Sequence, residues 1–304
     1  MKLRHYILLF RDHRFRSSNK IPSVIIGIMA FSILVQVEFF AQDNRSFLNP
    51  PQIIKNPANT QQHSAISRKF TGIPSLAISR NGRMWATWYA GVTPKEDSNN
   101  YVVVATSGDE GQTWEEVLAI DPDGPGPARS YDPEIWIDPD GQLWIFWAQA
   151  TPSAGTWSLV TEGTLAGVWT ITTKNPDNRK PVWSEPRRLT DGVMMCKPFV
   201  SSRGEWILPA SMWKLADGSA RMIVSTNQGA TWHLRGAATV PIDVRSFDEH
   251  IIVERKDKSL WMLVRTQYGI GESISTDNGR SWSPLIPSKI EHPTARFFIR
   301  RLNS

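Results

Sequence analysis

Residues 275–282, Ser-Thr-Asp-Asn-Gly-Arg-Ser-Trp, have two close copies upstream in the chain. These are residues 107–114, Ser-Gly-Asp-Glu-Gly-Gln-Thr-Trp, and residues 225–232, Ser-Thr-Asn-Gln-Gly-Ala-Thr-Trp. In each copy the Asp or Asn can accept hydrogen bonds from its own turn, and the Gly can adopt a positive φ. The closing Trp can pack into the layer beneath. Three copies, each preceded by strand-forming residues, therefore predict three tight hairpins of one geometry.

A second motif, a strand-turn-strand unit that ends in Trp, alternates with the first. Its four copies occupy residues 76–85, 135–144, 199–206 and 251–261, and their tryptophans are 59, 62 and 55 residues apart. Two hairpins in a unit of this length predict the four-stranded blades of a β-propeller. The predicted blades are about 70–121, 131–190, 195–242 and 246–288, and residues 295–304 begin a fifth.

In a propeller, the innermost strand of each blade delivers its first residues to one mouth of the central channel. Alignment of the first hairpins on their tryptophans places the following residues around that mouth: Gly72–Pro74, Asp132–Glu134, Lys197, Asp248–His250 and Arg296. Mixed charges that converge on one cavity suit an anionic or polyhydroxylated ligand. His250 should point to the other face of its strand, so no catalytic role is expected for it.

Composition argues against several classes of protein. The 34 Lys and Arg residues outnumber the 29 Asp and Glu residues, but the first 20 residues hold six of the cations and one carboxylate. The rest of the chain is balanced, so no nucleic-acid partner is expected. A single cysteine, Cys196, rules out an internal disulfide.

The N-terminus carries an apolar run, residues 21–41, behind a basic leader. Either a secretory signal cleaved near Ala41 or an uncleaved membrane anchor has this pattern. Both alternatives predict export, to a periplasmic, extracellular or outward-facing anchored location, with membrane contact only through this segment if it is uncleaved. The expected organisation is a signal or anchor (residues 1–41), an irregular lead-in (42–68) and a propeller (69–304).

The repeated octet resembles the Asp box of the sialidase (neuraminidase) superfamily, also described by its BNR repeats. The resemblance implies an all-β, six-bladed propeller, of which this chain holds about four blades and the start of a fifth. An open ring leaves an uncovered blade face and a strand edge. We therefore expect the sequence to be a fragment that lacks about two repeats.

The resemblance also implies roles for individual residues. Gly72 stands where the family has the first Arg of a triad that grips the substrate carboxylate. Asp97, with Glu96 beside it as the alternative, falls at the place of the general acid/base. Glu249 and Arg265 match in order and spacing the Glu that polarises a nucleophilic Tyr and the second Arg of the triad.

Three further residues are candidate substrate-binding groups at the mouth: Asp132, Glu134 and Arg296. Each candidate also has an ordinary structural interpretation. Asp97 is typical of a solvated turn, and Glu249 with Arg265 is typical of an ion pair between adjacent strands. Asp132 and Glu134 would serve equally to anchor the start of the second blade.

The residues thus favour an exo-acting glycoside hydrolase that releases a terminal sugar, acidic or neutral, from a glycan or glycoconjugate. The alternatives are a non-catalytic carbohydrate-binding propeller and a structural or interaction propeller. No cofactor is expected, because the sequence has no Cys/His cluster, phosphate-binding loop or zinc spacing. Asp-rich turns leave Ca²⁺ open as a ligand without specifically predicting it.

Overall fold

The computed structural model describes residues 46–151, 166–213 and 215–300, which all belong to one compact unit, Asn44–Ser304. These residues form four antiparallel sheets and no α-helix. The predicted all-β propeller, with one sheet for each repeat, is therefore confirmed. The proposed signal or anchor at residues 1–41 lies outside the described residues, and within them no helix is long and apolar enough to cross a membrane.

Each blade is a meander that runs outward from the channel. Blade 1 contains β1 (Gln52–Lys55), β2 (Phe70–Thr71), β3 (Ser75–Ile78), β4 (Met84–Gly91), β5 (Tyr101–Ser107) and β6 (Glu115–Asp121). Blade 2 contains β7 (Arg129–Ile137), β8 (Leu143–Ala150), β9 (Ala166–Thr173) and β10 (Arg187–Asp191). Blade 3 contains β11 (Phe199–Val200), β12 (Trp206–Ser211), β13 (Ala220–Ser225) and β14 (His233–Ala238). Blade 4 contains β15 (Arg245–Glu254), β16 (Leu260–Thr266), β17 (Gly269–Ser275) and β18 (Ile286–Pro287). Short 3₁₀ helices occupy Ser46–Leu48, Pro57–Asn59 and Ile242–Val244.

The lead-in segment is not irregular throughout, contrary to the sequence-based expectation. Its strand β1 pairs with β6 and adds an outer strand to blade 1. Ile53 packs against the core between blades 1 and 2, whereas Ile54 packs on the opposite face of the sheet. Pairing with β1 also satisfies the backbone groups of β6, which would otherwise be an open edge.

Neighbouring blades are held together by apolar side chains from facing sheets. Trp85 and Val104 of blade 1 share one core with Ile145 and Trp169 of blade 2. A second core joins blades 2 and 3, and a third joins blades 3 and 4. Since the apolar side chains of these three interfaces are almost fully buried, each blade is stabilised mainly by its neighbours.

The octets form the turns between β5 and β6 in blade 1, β13 and β14 in blade 3, and β17 and β18 in blade 4. In the last copy, Asp277 accepts hydrogen bonds from the Ser281 backbone N (2.9 Å) and hydroxyl (2.6 Å). The backbone N of Gly279, which has a φ of 82°, donates to Ser275 Oγ at 2.8 Å. The first copy repeats this arrangement. The second copy repeats the backbone bonds, but Asn227 Nδ2 donates to Thr231 Oγ1 instead of accepting from it. The predicted common geometry is thus confirmed, and it lies on the outer hairpins.

The closing tryptophans differ in their burial. Trp232 and Trp282 pack against the cores on either side of blade 3, whereas Trp114 is 42% exposed. In blade 2 no octet is present, and Trp183 instead packs edge-on against Trp85, with ring centroids 5.5 Å apart. The tryptophan of the octet therefore enters the layer beneath in two of the three copies.

Residues 289–300 follow blade 4 without forming a regular strand. Phe297 and Ile299 pack against Ile251, Leu263 and Ile270, on the face of blade 4 that points away from blade 3. This segment carries Arg296 back to the centre of the molecule.

Candidate active site at the channel mouth

Two innermost strands are bulged where they reach the mouth. In β7 the register with β8 shifts between Tyr131 and Glu134, and Asp132 has a φ of 44°. In β15 the register with β16 shifts between Arg245 and His250, and Asp248 has a φ of 51°. A bulge changes the direction in which side chains project. The sequence does not reveal these bulges, because each lies inside an otherwise regular strand pattern.

Arg296 joins the end of the described chain to blade 2. Its Nη1 lies 3.3 Å from Asp132 Oδ1, its Nη2 lies 2.7 Å from Glu134 Oε1, and it also donates to the Met195 carbonyl. Ser75 Oγ of blade 1 donates to the other oxygen of Glu134 at 2.7 Å. The structure therefore brings together the three predicted substrate-binding residues, Asp132, Glu134 and Arg296.

Burial is the largest influence on the pKa values of the Asp132 and Glu134 carboxyl groups. It raises the pKa of Asp132 to about 6, although Arg296 partly offsets this and Glu249 adds to it. It also raises the pKa of Glu134, against the opposing effects of Arg296 and the Ser75 hydrogen bond. The raised pKa values thus reflect burial, which disfavours the charged form of a carboxyl group, more than a lack of nearby cations.

Glu249 and Arg265 are in contact, as their positions on paired strands predict. Arg265 Nη1 donates to Glu249 Oε1 at 3.1 Å, and Nη2 donates to the Thr294 carbonyl at 3.1 Å. The guanidinium lies 4.9 Å from the centroid of the Phe247 ring. The second oxygen, Glu249 Oε2, is buried and has no hydrogen-bond partner among the described residues. This oxygen is free to accept a proton donor from a ligand or from another part of the protein.

The structure separates the two neighbouring acid/base candidates. Asp97 closes its own loop, because its carboxylate accepts from Thr93 Oγ1 (2.5 Å) and the Asn99 backbone N (2.8 Å). Glu96 instead accepts from the Tyr89 hydroxyl at 2.8 Å and from Arg129 Nη1 at 3.0 Å. Glu96 is thus the carboxylate of this loop that reaches the other residues of the mouth.

Gly72 stands at the position where the resemblance leads one to expect an arginine. A Cβ at this position would lie 2.1 Å from Cε1 of Tyr89, far inside van der Waals contact. The ring of Tyr89 therefore fills the space that a side chain at position 72 would need. Burial, followed by the charges of Asp132 and Glu96, raises the pKa of the Tyr89 hydroxyl.

Arg129 is a residue of the mouth that the sequence interpretation missed. It is 3% exposed, donates to Glu96 and to Asn100 Oδ1 (2.9 Å), and lies 3.9 Å above the Tyr131 ring. Its position at the start of β7, three residues before Asp132, could have indicated that Arg129 belongs to the mouth.

Four aromatic rings connect the blades around the mouth, one from each blade. Their centroids are 6.4 Å apart for Tyr89 and Tyr131, 6.4 Å for Tyr131 and Trp213, and 6.0 Å for Trp213 and Phe247. Three of these rings are almost fully buried, whereas Phe247 is 38% exposed. We refer to these four residues as the aromatic arc.

Lys197 and His250 make their hydrogen bonds outside this cluster, although Lys197 is close enough for its charge to oppose the raised pKa of Glu134. Lys197 Nζ donates to the Leu76 carbonyl, and the residue lines a groove of about 300 Å³ that extends to Glu254 at the opposite end of β15. His250 is buried and bonds to Ser211 Oγ (3.1 Å) and to the Arg221 carbonyl (2.9 Å), so it supports the fold. Within the described residues, no group of three His, Cys, Asp or Glu side chains is arranged to hold a metal ion.

Comparison with solved structures identifies the fold. The Hadza microbial sialidase Hz136 matches with 21% identity and a TM-score of 0.56, over 73% of this chain and 48% of that one. The Trypanosoma rangeli sialidase in complex with sialic acid matches with 18% identity and a TM-score of 0.56, over 71% and 37%. The intramolecular trans-sialidase from Ruminococcus gnavus, in complex with oseltamivir carboxylate, matches with 16% identity and a TM-score of 0.57, over 80% and 74%.

This chain spans about half of the length of the first of these proteins and less of the second. Among curated proteins, none matches the sequence. The model of the BNR repeat-like domain matches residues 82–304, which is most of the chain and includes blades 2–4. Together with the sialidase-like propeller, this match shows that the chain belongs to the BNR repeat-like domain family.

Proposed function

We propose that this chain forms the substrate-binding mouth of an exported, exo-acting glycoside hydrolase that releases a terminal sugar from a glycan. The observation that carries the proposal is the buried Glu249–Arg265 pair, whose Glu249 Oε2 has no partner among the described residues. A buried carboxylate oxygen without a hydrogen bond is costly, and such groups concentrate at functional sites. The sialidase structures that share this fold add support, since one of them holds sialic acid.

In the proposed reaction, Glu249 accepts a hydrogen bond from the hydroxyl of a nucleophile and draws its proton away as that oxygen attacks the anomeric carbon. A carboxylic acid from the loop of blade 1 protonates the glycosidic oxygen, and the leaving alcohol departs. Water then attacks the anomeric carbon and displaces the nucleophile, while the same loop carboxylate takes a proton from the water and Glu249 returns its proton to the nucleophile oxygen. Arg265 orients Glu249, whereas Arg296 with Asp132 and Glu134 shapes the wall of the site.

The acid/base is either Asp97 or Glu96. The position in the sequence favours Asp97, but the hydrogen bonds favour Glu96, since only Glu96 contacts other residues of the mouth. The two variants Asp97→Asn and Glu96→Gln separate these roles. Removal of the true acid should lower turnover by about 100-fold or more, whereas removal of the other carboxylate should cost much less.

Export is proposed on the N-terminal pattern alone, with residues 1–41 as a signal or an anchor. The mass and N-terminal sequence of the mature protein, isolated from the expressing cell, test this. Cleavage near Ala41 would indicate a signal, and an intact N-terminus in the membrane fraction would indicate an anchor. An intact protein in the cytoplasmic fraction would contradict export.

A non-catalytic carbohydrate-binding propeller is the second candidate. Gly72 favours it, because Tyr89 fills the space that an arginine of the carboxylate clamp would need. No tyrosine hydroxyl in the described part of the chain bonds to Glu249.

The deciding experiment incubates the full-length protein with a mixture of glycans and measures released sugars by anion-exchange chromatography. Glu249→Gln should abolish release. The matched control is Asp257→Asn, an exposed carboxylate at the opposite end of β15 that bonds only within its own turn. Binding of glycans without release would contradict the hydrolase and support the non-catalytic carbohydrate-binding propeller. Absence of both binding and release would support an interaction propeller.

A further inference from the structure

We propose that the sugar bound at this mouth is neutral, with hydroxyl groups that donate to Glu249 and an apolar ring face that lies on Phe247. This inference rests on the proposed glycan-binding function and specifies its substrate class. It departs from the acidic sugar that the sialidase resemblance implies. Four observations at the mouth support it.

First, the guanidinium groups of the mouth are already paired with protein carboxylates. Within the described part of the chain, Arg129 bonds to Glu96, Arg265 to Glu249, and Arg296 to Asp132 and Glu134. A substrate carboxylate would compete with these partners for the guanidinium groups, except at Arg265 Nε, which has no hydrogen-bond partner among the described residues. Displacement would leave a buried protein carboxylate without compensation, which is strongly unfavourable.

Second, position 72, where the resemblance leads one to expect an arginine, has no space for a side chain. Tyr89 occupies the space next to Gly72, and the Gly72 backbone N donates to the Tyr89 carbonyl at 2.7 Å. A clamp for a carboxylate depends on bidentate arginine contacts. Without an arginine here, the mouth loses one of the groups that such a clamp would use.

Third, the acceptor that remains open carries negative charge. A carboxylate oxygen such as Glu249 Oε2 accepts hydrogen bonds and cannot donate them. A sugar hydroxyl can share this carboxylate with the nucleophile hydroxyl of the proposed reaction, because a carboxylate has about four lone-pair sites. A sugar carboxylate would instead place a second negative charge beside it.

Fourth, the aromatic arc offers one accessible ring. Trp213 is 5% exposed and Tyr131 is 1% exposed, so both serve as packing, but Phe247 is 38% exposed beside Arg265. An exposed aromatic ring provides a flat apolar surface. The C–H face of a neutral pyranose can cover it while the hydroxyl edge of the same sugar reaches Glu249, two residues away on β15.

The test uses sugar pairs that differ only at C6, where the neutral sugar has a hydroxymethyl group and the acidic sugar has a carboxylate. Methyl galactoside and methyl glucoside are compared with the corresponding methyl galacturonide and glucuronide, alongside a sialoside and an array of glycans with neutral and acidic ends. Binding to the 304-residue chain is measured by ligand-observed NMR titration. The neutral sugars bound by the protein should bind at least about ten-fold more tightly than their acidic counterparts.

Equal or tighter binding of acidic sugars would overturn this inference and leave the proposed function intact. Failure to bind any glycan would overturn the proposed function, and this inference with it. The two failures are therefore distinguishable within one experiment.

A second set of variants tests Phe247 as the sugar platform. Phe247→Ala should weaken neutral-sugar binding by at least about five-fold, and Phe247→Tyr should restore most of it, because the ring is retained. Phe298→Ala is the matched control, since Phe298 is 59% exposed and lines the groove that extends to the opposite end of β15. Thermal unfolding of each variant checks its fold, and unchanged binding by a folded Phe247→Ala would exclude the platform.

Discussion

Arg296 Nη2 lies 2.7 Å from Glu134 Oε1, a contact between residues 162 positions apart in the chain. The bond spans the channel, because Glu134 begins the first hairpin of blade 2 and Arg296 follows blade 4. Asp132 and Met195 bind the same guanidinium. The segment after blade 4 is therefore tied to the mouth by a charged side chain, in addition to the apolar contacts of Phe297 and Ile299.

Replacement of Arg296 by Ala should destabilise the protein by about 3–5 kcal/mol, because two buried carboxylates would lose their partner. The free energy of unfolding in urea measures this. Arg179→Ala is the control, since Arg179 pairs with Glu115 but its side chain is 64% exposed. The control should cost much less, because an exposed ion pair contributes little to stability. Equal effects of the two substitutions would contradict the importance of the buried cluster.

Asp132 should make the stability depend on pH. Burial raises the pKa of its carboxyl to about 6, above the ordinary value of 3.8. The folded state therefore holds this proton more tightly, so the stabilisation is complete below pH 3.8 and is lost as the pH rises through 6. Relative to the wild type, Asp132→Asn should gain stability between about pH 4 and 7.

Urea unfolding of both proteins at a series of pH values gives the difference curve for Asp132. Other buried carboxyls, such as Asp248, titrate in both proteins and cancel in this difference. A flat difference curve across this range would mean that Asp132 titrates normally.

The space beside Gly72 can be tested with a double-mutant cycle. Gly72→Ala should destabilise the protein because the new Cβ overlaps the Tyr89 ring. In a Tyr89→Ala background the same change should cost much less, since the ring is absent. We expect a coupling of about 1 kcal/mol or more from the unfolding free energies of the four proteins. Additivity within about 0.5 kcal/mol would show that the two residues do not compete for space.

The octet turn can be tested at its glycine. Gly279 has a φ of 82°, and a Cβ there would lie 2.4 Å from Met222 Sδ. Gly82, in the first hairpin of blade 1, has a φ of 89° and nothing within 4 Å of such a Cβ. Gly82→Ala should therefore cost only the backbone strain, about 1–2 kcal/mol, whereas Gly279→Ala should cost more.

The melting temperatures of the two glycine variants provide the comparison. A smaller loss for Gly279→Ala than for Gly82→Ala would show that the contact with Met222 carries no cost. Either result separates the conformational role of the glycine from the packing around it.

Local patterns in the sequence were sufficient for the architecture. The octets and the tryptophan-ended hairpins predicted four blades, and each predicted blade contains one sheet. Such patterns succeed because a hairpin turn is specified by a few adjacent residues, among them a Gly at positive φ and an Asp that bonds to its own turn. Alignment of the hairpins also placed Asp132, Glu134 and Arg296 together, since equivalent strands reach the same end of a propeller.

The chemistry of the mouth was decided by the tertiary structure. Glu96 and Asp97 are adjacent, but only the Glu96 side chain leaves its loop and contacts other residues of the mouth. The bulges at Asp132 and Asp248 change the direction of side chains on strands whose sequence patterns look regular. Tyr89 fills the place beside Gly72 from another strand, and Arg129 meets Glu96 from another blade. Turns and repeats depend on neighbours in the chain, so the sequence alone determined the propeller. The ion pairs, the burial of charged side chains and the space left for a ligand depend on residues that are distant in the chain, so only the folded protein decided what its mouth can bind.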